Sequence, residues 1–150
     1  MVSGTVWGAR IMRDDCVAIE QLLNHYCHKL DRGDIDAVVA MFAENATLRP
    51  DYEGTGPHVG RPAIRAWYTR YGTQTLGAVR SLRHKISTAM IDVDGDHATS
   101  VCYLDADSVS LATGKRSMVG GRYEDQLTRV DGVWLLADRR IVIDYASTLD

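Results

Sequence analysis

The chain is expected to adopt an α+β fold, a cone-shaped α+β barrel in which three N-terminal helices pack on a strongly curved, mostly antiparallel sheet. Three observations carry that expectation. Apolar residues recur at helical spacing through the first half of the chain and at a period of two after Gly77. Asp94-Gly95 and Asp131-Gly132 supply two-residue hairpin turns between alternating stretches. A run of helices followed by a run of strands segregates the helices to one side of an antiparallel sheet. No repeat, low-complexity tract or linker divides the 150 residues, so a single domain over 1–150 is expected, with 1–13 as a loose arm.

Asp14 or Asp15 is a suitable cap for a first helix reaching about Arg32, with Leu22, Leu23, Tyr26, Cys27 and Leu30 as its buried stripe and Gly33 as its stop. Asp34 caps a short second helix ending near Phe42, which makes a tight helical hairpin. Residues 46 to 52 read as a short strand or arm, and 54 to 60 as a loop, by their glycines and proline. Pro62 opens a third helix with Ile64, Trp67, Tyr68 and Tyr71 on its apolar side. Four long antiparallel strands follow, from about Leu82 to Val93, His97 to Leu111, Arg116 to Val130 and Val133 to Tyr145. Strands this long bend or bulge, and Gly120-Gly121 is the expected bend.

Composition narrows the function. A net charge of -3, with basic residues scattered along the chain, leaves no electrostatic footprint for nucleic acid or an anionic membrane. No stretch approaches the run of about 18 apolar residues of a membrane span, and the N-terminus lacks the pattern of an export signal. Three widely spaced cysteines without a CxxC suggest neither disulfides nor a zinc knuckle, and a cytoplasmic protein is expected. His25, Cys27 and His28 do not share a helix face, so no metal is expected there.

The chemistry-bearing residues stand out against the apolar pattern. Asp31 lies on the edge of the buried stripe in a last helical turn, facing the negative end of the helix dipole, a costly place for a carboxylate. His84 shares its parity with Leu82, Ile86 and Met90 and points inward. It is either a satisfied core histidine or, paired with Asp31, a base whose Nε2 is left free. On the last strand Val133, Leu135, Ala137, Arg139, Ile141 and Ile143 share one parity; Arg139 either holds a carboxylate of its own fold or meets a substrate oxygen. Tyr26 and Tyr52 are candidate hydrogen-bond donors to a substrate, and His58 a residue of a pocket mouth. Neither a Gly-rich phosphate loop nor a serine nucleophile elbow is present.

These residues fall into an ordered pattern. It runs Y-x4-D-x-G-D-x-D-x(5)-F from Tyr26 to Phe42, G-x-x-A-I from Gly60 to Ile64, then His84. D-V-D-G-D-x-A from Asp92 to Ala98 and G-R-Y-x-D-x-L-x-R-x-D-G-x-W from Gly121 to Trp134 complete it. Over about residues 14 to 145 this resembles the SnoaL-like branch of the nuclear-transport-factor-2-like superfamily. The resemblance implies a cone-shaped barrel with a pocket in its wide end. Within the superfamily it is similar to scytalone dehydratase, the bile-acid dehydratases and hexachlorocyclohexane dehydrochlorinase, in which the residues matching Asp31 and His84 form a catalytic dyad. The Tyr26 match belongs to the dehydratase pattern, and Arg139 takes the place of the dehydrochlorinase arginine. The second active-site histidine of scytalone dehydratase has no counterpart here.

The resemblance therefore implies a cofactor-independent lyase, a dehydratase or dehydrohalogenase, acting on a small apolar cyclic or polyketide-like substrate. His84 is its base, oriented by Asp31, and the chain is a homo-oligomer, dimer or trimer. An isomerase or cyclase using the same base, a non-catalytic ligand-binding protein and the small subunit of a ring-hydroxylating dioxygenase are the alternatives the same fold allows.

Overall fold

The structure, a computed structural model, describes the backbone of residues 4–149 and the side chains of residues 13–149. Helices α1 (Gly4–Asp31) and α2 (Ile35–Ala40) precede strand β1 (Phe42–Pro50), a 3-10 turn at Asp51–Glu53 and the short β2 (His58–Val59). Helix α3 (Arg61–Gln74) leads into β3 (Val79–Asp94), β4 (His97–Ser110), β5 (Arg116–Val130) and β6 (Val133–Leu149). The six strands form one sheet in the order β2-β1-β6-β5-β4-β3, which curls over the helices without closing. All pairings are antiparallel except β1 with β6. Ile19, Leu23 and Leu30 of α1, Val38 of α2 and Ile64 and Tyr68 of α3 fill the concave side against Leu48, Leu104, Leu127 and Leu136.

Local signals explain the helical half. Gly33, at φ +71°, ends α1 in the left-handed conformation glycine adopts without steric cost. The Ala37 amide donates to Asp34 Oδ1 at 3.2 Å, the expected cap of α2. Pro62 stands in the first turn of α3.

Four element boundaries differ from the sequence reading, and one short strand is added. The loose arm is corrected: α1 already runs from Gly4, and residues 1–3 lie outside the described residues. Ala9, Arg10, Met12 and Arg13 are good helix formers, and Asp15 is not a cap because its Oδ1 accepts from Arg129 Nη1 at 2.7 Å and Trp134 Nε1 at 3.0 Å. β1 begins at Phe42 rather than residue 46, immediately after α2, and the 54–60 loop contains β2, which pairs with Thr47 and Leu48. β3 starts at Val79, and β6 continues past Tyr145 to Leu149.

Two β-bulges overturn the expected parity. In β3 the register slips between Ser87 and Met90, with Thr88 at φ +53°, so Met90 faces out and Ala89, Ile91 and Val93 turn toward the core. One inserted residue sends every later side chain to the opposite face. A slip in β6 opposite Gln126 and Leu127 does the same, so Trp134 and Leu136 are inward before it, not Val133 and Leu135. Arg139, Ile141 and Ile143 beyond it keep the inward parity assigned to them. The expected irregularity at Gly120-Gly121 is present as a further slip, where a Cβ on Gly121 would collide with the Val142 carbonyl oxygen.

Candidate functional site

Between the helices and the concave sheet lies a cavity of about 320 Å³. Aromatic rings of Tyr26, Trp67, Tyr71 and Tyr123 form much of its wall, with aliphatic side chains of β3 to β6 opposite. Among the described residues, no Asp, Glu, Lys or Arg lines it.

α1 and β3 deliver the two polar residues of interest. Asp31 is the last residue of α1. Its carboxylate accepts the His84 backbone amide at 3.1 and 3.2 Å, and its Oδ1 lies 2.6 Å from His84 Nδ1. A carboxylate can only accept, so Nδ1 carries the proton and Nε2 is the ring nitrogen left to a ligand. The side chains are 9% exposed at His84 and 17% at Asp31, and His84 lines the cavity. His84 lies opposite Ala106 in the register, and the slip between Arg80 and Arg83 just before it sets its inward aim.

Tyr26, one helical turn before Asp31, lines the cavity, and its hydroxyl is 2.5 Å from that of Tyr68. Burial raises the Tyr26 phenol above its ordinary value, against the opposing pull of Arg139, so it keeps its proton. Tyr52, in the 3-10 turn after β1, lines the cavity from an exposed position.

Arg139 and His58 stand elsewhere. Arg139 is 0% exposed and is not among the cavity-lining residues. Its Nε donates to Asp125 Oδ1 at 2.8 Å and its Nη2 to Asp125 Oδ2 at 2.7 Å, while the guanidinium is sandwiched 4.1 Å from the ring centroids of both Tyr26 and Tyr123. Of the two uses open to it, this geometry is the structural one, with its contact to the cavity made through the Tyr26 ring. His58 packs against Trp67, with ring centroids 6.5 Å apart, and lies outside the cavity wall with its Nε2 buried and unpaired.

Asp125 is the residue the sequence reading missed. It shares its parity with Tyr123 and Leu127 and lies directly opposite Arg139 in the β5–β6 register, so strand alternation offered the missing anion. Tyr123 was missed in the same way; Trp67 and Tyr71 were read as core only. Among the described residues, no group of three or more His, Cys, Asp or Glu is placed to hold a metal, and no helix is long and apolar enough to cross a membrane.

Comparison with known proteins agrees with the resemblance drawn from the motifs. A family model described as a SnoaL-like domain matches residues 12–140. A protein from Novosphingobium aromaticivorans, provisionally assigned as a scytalone dehydratase, superposes with a TM-score of 0.79 at 22% identity, covering 91% of this chain and 88% of its own. A type 2 hexachlorocyclohexane dehydrochlorinase gives 0.76 at 14% identity, with 91% and 90% covered. An NTF2-like protein with a cystatin-like fold, also from Novosphingobium aromaticivorans, gives 0.75 at 22% identity, with 96% and 92% covered. At these identities the likeness is one of fold. A search of curated protein sequences found no significant match.

Proposed function

Because the chain belongs to the SnoaL-like domain family, we propose that it is a cofactor-independent lyase whose cavity holds a compact, apolar cyclic or polyketide-like molecule. The observation that carries this reading is the 2.6 Å contact between Asp31 Oδ1 and His84 Nδ1 at the wall of an otherwise apolar cavity. Asp31 fixes the tautomer and favours the imidazolium that forms when Nε2 accepts a proton. Nε2 takes a carbon-bound proton of the substrate, the electrons of that C–H bond form the new double bond, and hydroxide or halide leaves the adjacent carbon. Tyr26, protonated and supported by Tyr68, donates a hydrogen bond to a substrate carbonyl and so stabilises negative charge developing there.

In the same reading the chain acts as a cytoplasmic homo-oligomer, dimer or trimer, with no nucleic acid or membrane partner. The test is a screen of small cyclic hydroxy-ketones and halides against wild type, Asp31→Asn and His84→Ala, with products followed by mass. Loss of water or hydrogen halide is expected, with kcat/KM reduced by roughly 10²–10⁴ in each variant. Activity retained by both variants sinks the dyad. A product of unchanged mass instead identifies an isomerase or cyclase using the same base.

A further inference from the structure

The cavity wall changes character along the strands, and the change is ordered by the register. Inward residues of β4 and β5 pair as Leu104 with Gly121, Ala106 with Val119 and Ser108 with Ser117. All of these except Gly121 line the cavity. The wall therefore runs from aliphatic to hydroxylic toward the C-terminal end of β4 and the N-terminal end of β5. Thr75, which ends α3, lines the same cavity. Among the described residues, the side-chain hydroxyls of Ser108, Ser117 and Thr75 have no hydrogen-bond partner, although all three residues are partly buried. Hydroxyls on an apolar wall that satisfy nothing in their own fold are placed to satisfy something else.

His84 pairs with Ala106 and so stands in the middle row of this wall. The Ser108–Ser117 row is one pleat repeat further on, about 7 Å along the strand. That separation matches the width of a six-membered ring plus one hydrogen bond. Among the described residues no formal charge lines the cavity, so a carboxylate or ammonium brought there would lose its hydration without a counterion from them. A neutral carbonyl or hydroxyl would exchange water for hydroxyl partners at little cost.

We propose that Ser108, Ser117 and Thr75 form a specificity subsite that binds a neutral oxygen substituent of the ligand, one ring's width from the carbon that faces His84. The subsite selects oxygenated rings over plain hydrocarbons and rejects charged ones. It deepens the lyase reading and rests on it only for the statement that the reacting carbon faces His84.

Binding, measured apart from turnover, tests it. The probes are 1-tetralone and tetralin, which differ by one carbonyl, titrated against the full chain with Trp67 fluorescence as the signal. Wild type is expected to bind the ketone at least about fivefold more tightly, the worth of one net hydrogen bond. Ser108→Ala/Ser117→Ala brings the ketone down to the affinity of the hydrocarbon, Thr75→Val moves it the same way, and His84→Ala keeps the preference. Equal binding or no binding of the two probes by wild type, or a preference that survives in the double variant, overturns the subsite. Failure of the lyase reading would appear instead as turnover retained by His84→Ala and would leave the ketone preference in place.

Discussion

At the scale of single residues, the buried charges divide into two uses. Asp31 spends its carboxylate on one residue, taking both the backbone amide and the ring of His84, and so ties the end of α1 to the edge strand β3. Arg139 and Asp125 form a bidentate pair in the core, further from solvent than either Asp31 or His84. Removing one partner of such a pair leaves an uncompensated charge. Arg139→Met is therefore expected to destabilise the fold by about 3–5 kcal/mol, and Arg139→Met/Asp125→Leu to recover most of that loss, in guanidinium unfolding. A double variant no more stable than the single would refute the pairing as the source of the cost. Asp31 and His84 were legible in the sequence because each broke an apolar pattern. Asp125 was not singled out, although the same alternation contained it, because its meaning depended on which residue lay across the sheet.

At the scale of elements, bulges decide which side chains reach the cavity. Thr88 stands at φ +53°, where a β-branched residue is strained by about 1–2 kcal/mol. Asparagine tolerates that conformation. Thr88→Asn is expected to raise stability by about 0.5–1 kcal/mol in thermal unfolding, whereas a drop would mean that the bulge is not strained at this position. β3 and β4 are also joined across their outer face by Asp107, which Arg83 and Lys85 hold down to about 2 by hydrogen bonds at 2.7 and 2.6 Å. A carboxyl depressed on folding stabilises above its ordinary value of 3.8, and that contribution is lost as pH falls through about 2. Asp107→Asn should thus lower the urea midpoint at pH 7 and change it much less at pH 2. Equal losses at both pH values would rule out the ionised bridge. The bulges themselves were illegible, because a single inserted residue leaves apolar residues on both parities and the sequence reads as one uninterrupted alternation.

For the molecule as a whole, one sheet face packs on helices and the other is open. Met90, Val101 and Tyr103 share that outer face, since Met90 pairs with Val101 and Tyr103 follows two residues on. Met90 is 64% and Tyr103 56% exposed. An apolar strip of this kind on a sheet suits burial against a second copy. Sedimentation of the isolated chain is expected to give a dimer or trimer, and Tyr103→Glu to shift it toward monomer. A monomer that associates only with a separate catalytic chain would favour the dioxygenase-subunit reading instead.

The amino-acid sequence by itself determined the order of the three helices and the four long strands, the Asp34 cap and the hairpin turns, the family pattern and the odd polar residues Asp31, His84 and Arg139, because each is written in local spacing. Only the tertiary structure decided that Asp31 meets His84, that Arg139 meets Asp125 below the cavity, and that Met90 faces out while Ala89 and Ile91 face in. Those outcomes depend on cross-strand register. Register is set by the packing of the whole sheet on its helices and by where a bulge relieves its curvature, neither of which any short stretch of sequence contains.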